Sequence, residues 1–228
     1  MTFSNEWEEL YKDKKHMSVW PWSDVVSYVM RYVKPQGNGM KVLEVGFGAG
    51  ANVPFFARLG ADVYGIDGSP TIVEAVKQQY PQYAPNLICG DFTKEIPFCE
   101  EFDLILDRGS ITQNNSASIE VALRLIYDKL KPSGKFIGID WFSKEHHCFS
   151  QTDCVILDDC ARTDFRSGYF EKLGVVHFSD KENLEGVLHR AGFKLEKLEH
   201  KTYKDYSHGD YDNAAYVCAT WNFVAVRK

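Results

Sequence analysis

Residues 42–51 read Val-Leu-Glu-Val-Gly-Phe-Gly-Ala-Gly-Ala, an apolar strand signal that runs directly into three alternating glycines. Glycines at such a junction let the backbone turn sharply and approach a ligand closely. They also expose the amide groups of the helix that follows. The spacing Gly46-x-Gly48-x-x-Ala51 satisfies the dinucleotide fingerprint, and Asp67 lies 21 residues beyond Gly46, where an acid that binds a ribose belongs. The loop alone leaves three readings open: a nicotinamide dinucleotide site, another nucleoside site on a Rossmann-like fold, or a glycine turn of structural purpose only.

The surrounding pattern fixes the fold class. Strand signals fall at 42–45, 62–66, 86–89, 102–106 and 136–139, separated by helical signals at 51–59, 71–80 and 118–130. Pro70 suits the first turn of the second of these helices. A further helix, capped by Ser179 and stopped by Gly192, leads to strands at 193–199 and 216–226. With no helix between them, these two should pair antiparallel. The expected architecture is α/β: a Rossmann-like three-layer sandwich on a mostly parallel seven-stranded sheet, closed by an antiparallel C-terminal strand pair. One domain accommodates it, with an N-terminal helical lid at 1–39, a cofactor-binding core at 40–142, an insertion or cap at 143–175 and the C-terminal helix and strands at 176–228. The lid should hold helices at 5–15 and 24–33, the second capped by Ser23 and ended by Pro35, before a turn at 35–39.

Charge narrows the partners. With 26 basic against 32 acidic residues the chain carries −6, so no general attraction to nucleic acid or to an anionic membrane is expected. The first residues are charged and aromatic, without the apolar run of a leader, and a cytoplasmic location is expected. The six cysteines contain no C-x-x-C, so most should be reduced, buried and small. His146-His147-Cys148, with Cys154 and Cys160, matches no standard zinc spacing, and no metal is expected.

Three further features accompany the loop: Glu44 before it, Asp91 in Cys89-Gly90-Asp91-Phe92 at the end of the third strand, and the turn Lys131-Pro132-Ser133-Gly134-Lys135 into the fifth. As a set they resemble the class I S-adenosylmethionine-dependent methyltransferases of small molecules, over roughly residues 42–139. The resemblance implies S-adenosyl-L-methionine as cofactor. Gly46, Phe47 and Gly48 would line its methionine part, and Glu44 would orient the loop or meet the sulfonium end. Asp67 would accept from the ribose hydroxyls, with Gly68 and Ser69 beside it. Asp91 would meet the adenine amino group, Phe92 would pack near the ring, and Asp107 would face the methionine ammonium or the substrate. Read as residues alone, each acid could instead cap a helix or end a strand in solvent.

The acceptor is harder to read. The segment after the fourth strand, Asp107-Arg108-Gly109-Ser110-Ile111-Thr112-Gln113-Asn114, is not the D/N/S-P-P-Y/F element of nucleic-acid amino-methyltransferases, and the chain has no Pro-Cys dipeptide. Relatives sharing D-R-G-S-I often carry a histidine shortly after it; here Gln113-Asn114 stand there. His146 and His147 are the replacement candidates for a general base, because imidazole matches proton removal near neutral pH. Arg108 could clamp an anion or form a structural ion pair with Asp107 or Glu44. Trp141 is a candidate acceptor contact. Trp20 and Trp22 could either form a lid that cradles the sulfonium or staple the N-terminus to the core. Residues 19–29 resemble small methyltransferases of bacterial surface-polysaccharide clusters. The expected function is therefore methyl transfer to an oxygen, less readily a nitrogen, of a small anionic or sugar-like acceptor. The alternatives are a nicotinamide-dependent oxidoreductase and a non-catalytic cofactor-binding partner subunit. The sequence does not indicate an oligomeric state.

Overall fold

The computed structural model of the protein describes residues 5–14, 16–35, 39–206 and 216–228. Part of the expected turn, at 36–38, lies outside them. Helices α1 (Asn5–Lys12) and α2 (Ser23–Tyr28) come first, the latter continuing as a π-helical turn, Val29–Val33, that ends where Lys34 adopts φ +52° before Pro35. Then follow β1 (Lys41–Val45), α3 (Val53–Arg58), β2 (Asp62–Asp67), α4 (Pro70–Gln79), β3 (Leu87–Cys89), β4 (Phe102–Arg108), α5 (Ser116–Lys129) and β5 (Leu130–Phe142). The last third holds three short strands, β6 (Val155–Ile156), β7 (Ala161–Thr163) and β8 (Val176–His177), then α6 (Lys181–Arg190), β9 (Phe193–Asp205) and β10 (Tyr216–Arg227).

The main sheet has the order β3-β2-β1-β4-β5-β10-β9. Its pairings from β3 to β5 are parallel, and β10 runs antiparallel to both β5 and β9. Successive side chains on β1 must face opposite sides of the sheet. Val42 accordingly joins Val53, Phe56 and Leu104 on one face, while Leu43 joins Ile119, Leu123 and Phe136 on the other. Helices on both faces complete three layers. The antiparallel β10 stands where a dinucleotide fold, of order 3-2-1-4-5-6, would place its sixth, parallel strand. The strand order reverses between β1 and β4, so the crevice at their carboxyl ends is the natural ligand site.

Local capping matches the pattern with two corrections. Ser69 accepts from the Ile72 amide at 3.2 Å at the start of α4, and Asn115 accepts from Ser118 at 2.9 Å at the start of α5. The cap of α6 is Asp180, not Ser179, because Asp180 accepts from the Asn183 amide at 2.8 Å. Ser23 does not cap α2: it is the first residue of that helix, and the cap position belongs to Trp22, which makes no side-chain bond there. β5 and β9 extend well beyond the expected 136–139 and 193–199.

Residues 143–178 fold over the carboxyl end of the sheet. β6, β7 and β8 form a small antiparallel sheet, and Cys148, Phe165, Phe170, Val176 and Phe178 pack with Tyr216 and Cys218 of β10. All six cysteines are free: Cys148, Cys160 and Cys218 are buried, Cys154 is half-buried, and Cys89 and Cys99 are exposed. Among the described residues no helix is long and apolar enough to cross a membrane, and no group of three or more His, Cys, Asp or Glu side chains gathers as a metal site would need.

Candidate active site

β1 delivers the chain into the loop with Gly46 at φ +66° and Gly48 at φ +51°, conformations that a side chain would strain. Space forbids one as well. A Cβ on Gly46 would lie 2.2 Å from Ser110 Cβ, and one on Gly48 would lie 3.0 Å from the Tyr11 hydroxyl. The loop borders a cavity of about 480 Å³ that runs from α1 past Gly46, Phe47 and Gly48 to residues of the 143–178 segment. That volume suits a small-molecule site.

The acids around the loop differ in what they face. Asp67 lines the cavity; its Oδ2 accepts from the Gly48 amide at 2.9 Å and its Oδ1 from the Ser69 amide at 3.0 Å. A carboxylate has about four lone-pair sites, so capacity remains for two ribose hydroxyls. Burial pushes its pKa up to about 6, against the pull of those amides. Gly68 also lines the cavity, whereas Ser69 is fully buried beneath it, its hydroxyl donating to Glu8 of α1. Asp91 and Phe92 line the same cavity; Asp91 Oδ1 accepts from the Thr93 amide at 3.0 Å and the Thr93 hydroxyl at 2.6 Å, and Oδ2 pairs with Lys94 at 3.2 Å.

Glu44 is the most unusual of these acids. It is buried, its Oε1 accepts from Asn52 Nδ2 at 2.7 Å, and its Oε2 is buried without a partner at the cavity wall. Burial drives its pKa up to about 8, and the charges of Asp107 and Asp67 push the same way.

Asp107 is a correction. Rather than facing a ligand it is fully buried outside the cavity, accepting from the amides of Ser110 at 3.0 Å and Ile111 at 3.1 Å, from the Ser110 hydroxyl, and from Trp141 Nε1 at 2.6 Å. Trp141 is corrected with it: it is 1% exposed, packs edge-on to Phe136 and Phe223, and so cannot touch an acceptor. Its role is to hold Asp107.

Arg108, the next residue, does reach the cavity. Its Nη2 lies 2.8 Å from Asp140 Oδ2, neither Asp107 nor Glu44 being its partner, and its guanidinium carbon lies 3.6 Å from the Trp22 ring centroid. Its Nε is buried without a partner. Trp22 thus lines the cavity, while Trp20, 79% exposed in the irregular segment between α1 and α2, stands outside it.

The histidines separate too. His146 lines the cavity, but its Nδ1 accepts from the Cys148 amide at 3.2 Å, so the neutral ring carries its proton on Nε2 and has no free lone pair to act as a base. Burial lowers its pKa to about 4, with His147 adding to the shift. His147 lies outside the cavity, its ring 5.1 Å from that of Tyr216. Neither of these two histidines is therefore placed as a base; another histidine, His16, lines the cavity near α1, its ring 5.3 Å from that of Trp7.

Sequence reading missed Trp7, Leu10 and Tyr11 of α1, which line the cavity at the glycine loop. Glu8 fastens α1 by accepting from Ser69 and, at 2.5 Å, from Thr71 Oγ1. The signal was present in the sequence, because positions 7, 10 and 11 form an i, i+3, i+4 stripe.

Comparison with known proteins bears on the fold and the core around this cavity. Residues 43–138 match the family model described as a methyltransferase domain. An uncharacterized methyltransferase of Synechocystis sp. is 31% identical over 105 residues, covering 45% of this chain and 47% of that protein. The protein-L-isoaspartate O-methyltransferase of Pyrococcus horikoshii is 34% identical over 103 residues, covering 43% of each. The matched region thus spans just under half the length of these curated relatives. A S-adenosylmethionine-dependent methyltransferase from Methanosarcina mazei shares the fold with a TM-score of 0.68 at 13% identity, over 91% of this chain and 98% of that one. Residues 43–138 thus match a methyltransferase domain, and the glycine loop and seven-stranded sheet have the Rossmann-like fold of S-adenosylmethionine-dependent methyltransferases.

Proposed function

We propose that the protein transfers a methyl group from S-adenosylmethionine to an ionised oxygen of a small acceptor, a carboxylate held by Arg108. The residues present fit the cofactor. Glu44 Oε2 is a buried acceptor with no partner, suited to an ammonium, and Asp67 keeps lone pairs for ribose hydroxyls. When bound, the cofactor supplies an electrophilic methyl group on a sulfonium. The chain's own task is then to hold the acceptor oxygen on the methyl axis and exclude water, an effect that can supply on the order of 7–11 kcal/mol. Trp7, Leu10 and Tyr11 cover one end of the cavity, and Phe142, Tyr169 and Phe170 wall the other.

The observation that carries the acceptor class is the Arg108 guanidinium, fixed by Asp140 and Trp22 with an Nε–H left over. A carboxylate needs no deprotonation, so this acceptor requires no general base, and the commitment of His146 Nδ1 to the Cys148 amide does not matter to it. One relative is itself named an O-methyltransferase.

The test is methyl transfer from labelled S-adenosylmethionine to a panel of small carboxylic acids, with the product treated with alkali. An ester releases its label as methanol. Arg108→Ala should lower kcat/KM roughly 10²-fold or more, as expected when a charge-assisted contact is lost, and Arg108→Lys should not restore it fully. His146→Gln should retain turnover. An alkali-stable product, or loss of turnover confined to the histidine variant, would sink the reading. Separately, Asp67→Ala should weaken S-adenosylhomocysteine binding by about 1–3 kcal/mol by calorimetry, the range for hydrogen bonds to an ionised group. Unchanged affinity would place the ribose elsewhere.

A further inference from the structure

Gln113 lies on the turn that follows β4, and the structure leaves it with one unmet hydrogen-bond acceptor. Thr112, Gln113 and Asn114 are three polar side chains in a row on the 3-10 turn Ile111–Gln113 and its exit. The flanking two donate locally. Thr112 Oγ1 donates to the Gly109 carbonyl at 3.0 Å, and Asn114 Nδ2 donates to the carbonyls of Ile111 at 3.2 Å and Ser110 at 3.4 Å. The Gln113 amide N–H is fixed as well, on Ser110 O at 3.0 Å. Its side-chain Oε1, in contrast, is buried with no partner, and Gln113 lines the cavity.

Among the described residues, three buried side-chain atoms without partners belong to residues of this one cavity: Glu44 Oε2, Arg108 Nε and Gln113 Oε1. The first lies at the glycine loop and suits the cofactor. The other two lie at the end of β4 and on the turn after it. They are opposite in kind, one a donor and one an acceptor. A lone carboxylate satisfies Arg108 and leaves the Gln113 carbonyl unpaired, or faces it lone pair to lone pair. Such a buried vacancy is filled only by an O–H or N–H.

We infer that Gln113 is a specificity residue, and that the acceptor is a hydroxy- or amino-carboxylate whose O–H or N–H donates to Gln113 Oε1 while its ionised oxygen rests on Arg108. This rests on the proposed carboxylate reading of Arg108. A site built to pair a hydroxyl disfavours the analogue that lacks it, because its own buried acceptor then goes unmet.

The walls contributed by Phe142, Tyr169 and Phe170 make benzoate and its 2-, 3- and 4-hydroxy derivatives suitable matched probes. They are titrated calorimetrically into protein saturated with S-adenosylhomocysteine, for the wild type, Gln113→Leu and the near-isosteric Gln113→Met. At least one hydroxybenzoate should bind the wild type roughly 10- to 100-fold tighter than benzoate, the range for a buried polar group left unpaired. Both variants should bring that ratio close to one, in part by tightening benzoate once the unmet acceptor is gone, with affinity for S-adenosylhomocysteine unchanged. A ratio that persists in the variants overturns the inference. So does weakened S-adenosylhomocysteine binding, which would assign Gln113 to the cofactor, and so does a wild type that binds benzoate but prefers no hydroxylated form. Failure of the underlying reading looks different: no acid binds at millimolar concentration, or benzoate binds equally well to Arg108→Ala.

Discussion

Asp107→Ala is expected to destabilise the fold by roughly 3–5 kcal/mol, the range for removing one partner of a buried charged network. Four donors converge on this fully buried carboxylate: the amides of Ser110 and Ile111, the Ser110 hydroxyl and the Trp141 indole. Alanine leaves the two amides and the indole N–H with no acceptor, each costing about 1–3 kcal/mol. Relief from burying a carboxylate, whose pKa is pushed up to about 6 by that burial, offsets part of the sum. Asp107→Asn should fall between wild type and alanine, since one amide oxygen can still serve the turn while its NH2 faces the Trp141 donor. Urea unfolding followed by tryptophan fluorescence gives the size of the effect. Near-native stability with lost S-adenosylhomocysteine binding would make Asp107 a ligand group after all.

The contrast between Asp67 and Asp107 shows how far the sequence could be read. Both end an apolar strand, and both precede a glycine-containing turn by one or two residues. The place of Asp67 beside the glycine loop was legible because its distance from Gly46 belongs to a local motif, and the motif's geometry is set by the short path through α3. What Asp107 faces depends on Trp141, 34 residues later, whose indole reaches back from the end of β5. No local pattern encodes that contact. Arg108 carries the same lesson: its partner, Asp140, is brought alongside by the β4–β5 pairing, which sets Arg108 opposite Ile139. Residues 143–175 were opaque for a different reason. β6 and β8 have two residues each and β7 three, too few for a period to emerge, and the buried aromatic cluster beneath them follows no helical or strand spacing. The N-terminal segment was half legible. Trp20 and Trp22 differ by two positions and are equally apolar, yet only Trp22 has a cation to stack on.

Glu44 is where stability and ligand binding should oppose each other most visibly. Its folded pKa is raised from the usual 4.5 to about 8, chiefly by burial. The folded protein therefore holds a proton that the unfolded chain has released anywhere between those values. Stability must fall as pH rises across that window, by up to about 5 kcal/mol at its upper end. Glu44→Gln removes the titration and keeps an oxygen for Asn52, at the cost of a buried NH2 without a partner, about 1–3 kcal/mol. The variant should then be the more stable protein at pH 8 and lose this advantage toward pH 5. Binding should move the other way. An ammonium at Oε2 favours the ionised carboxylate, so S-adenosylhomocysteine should expel a proton, and its affinity should climb from pH 7 to pH 8 in the wild type. Asp67, raised only to about 6, is already ionised across that range and does not confuse the slope. In Glu44→Gln the proton release and the slope should vanish, and binding at pH 8 should weaken roughly 10- to 100-fold, as expected on losing a charge-assisted bond. Calorimetry in two buffers of different ionisation enthalpy counts the proton directly. If that count is zero in the wild type, or the same in both proteins, Glu44 is not the group that receives the ammonium.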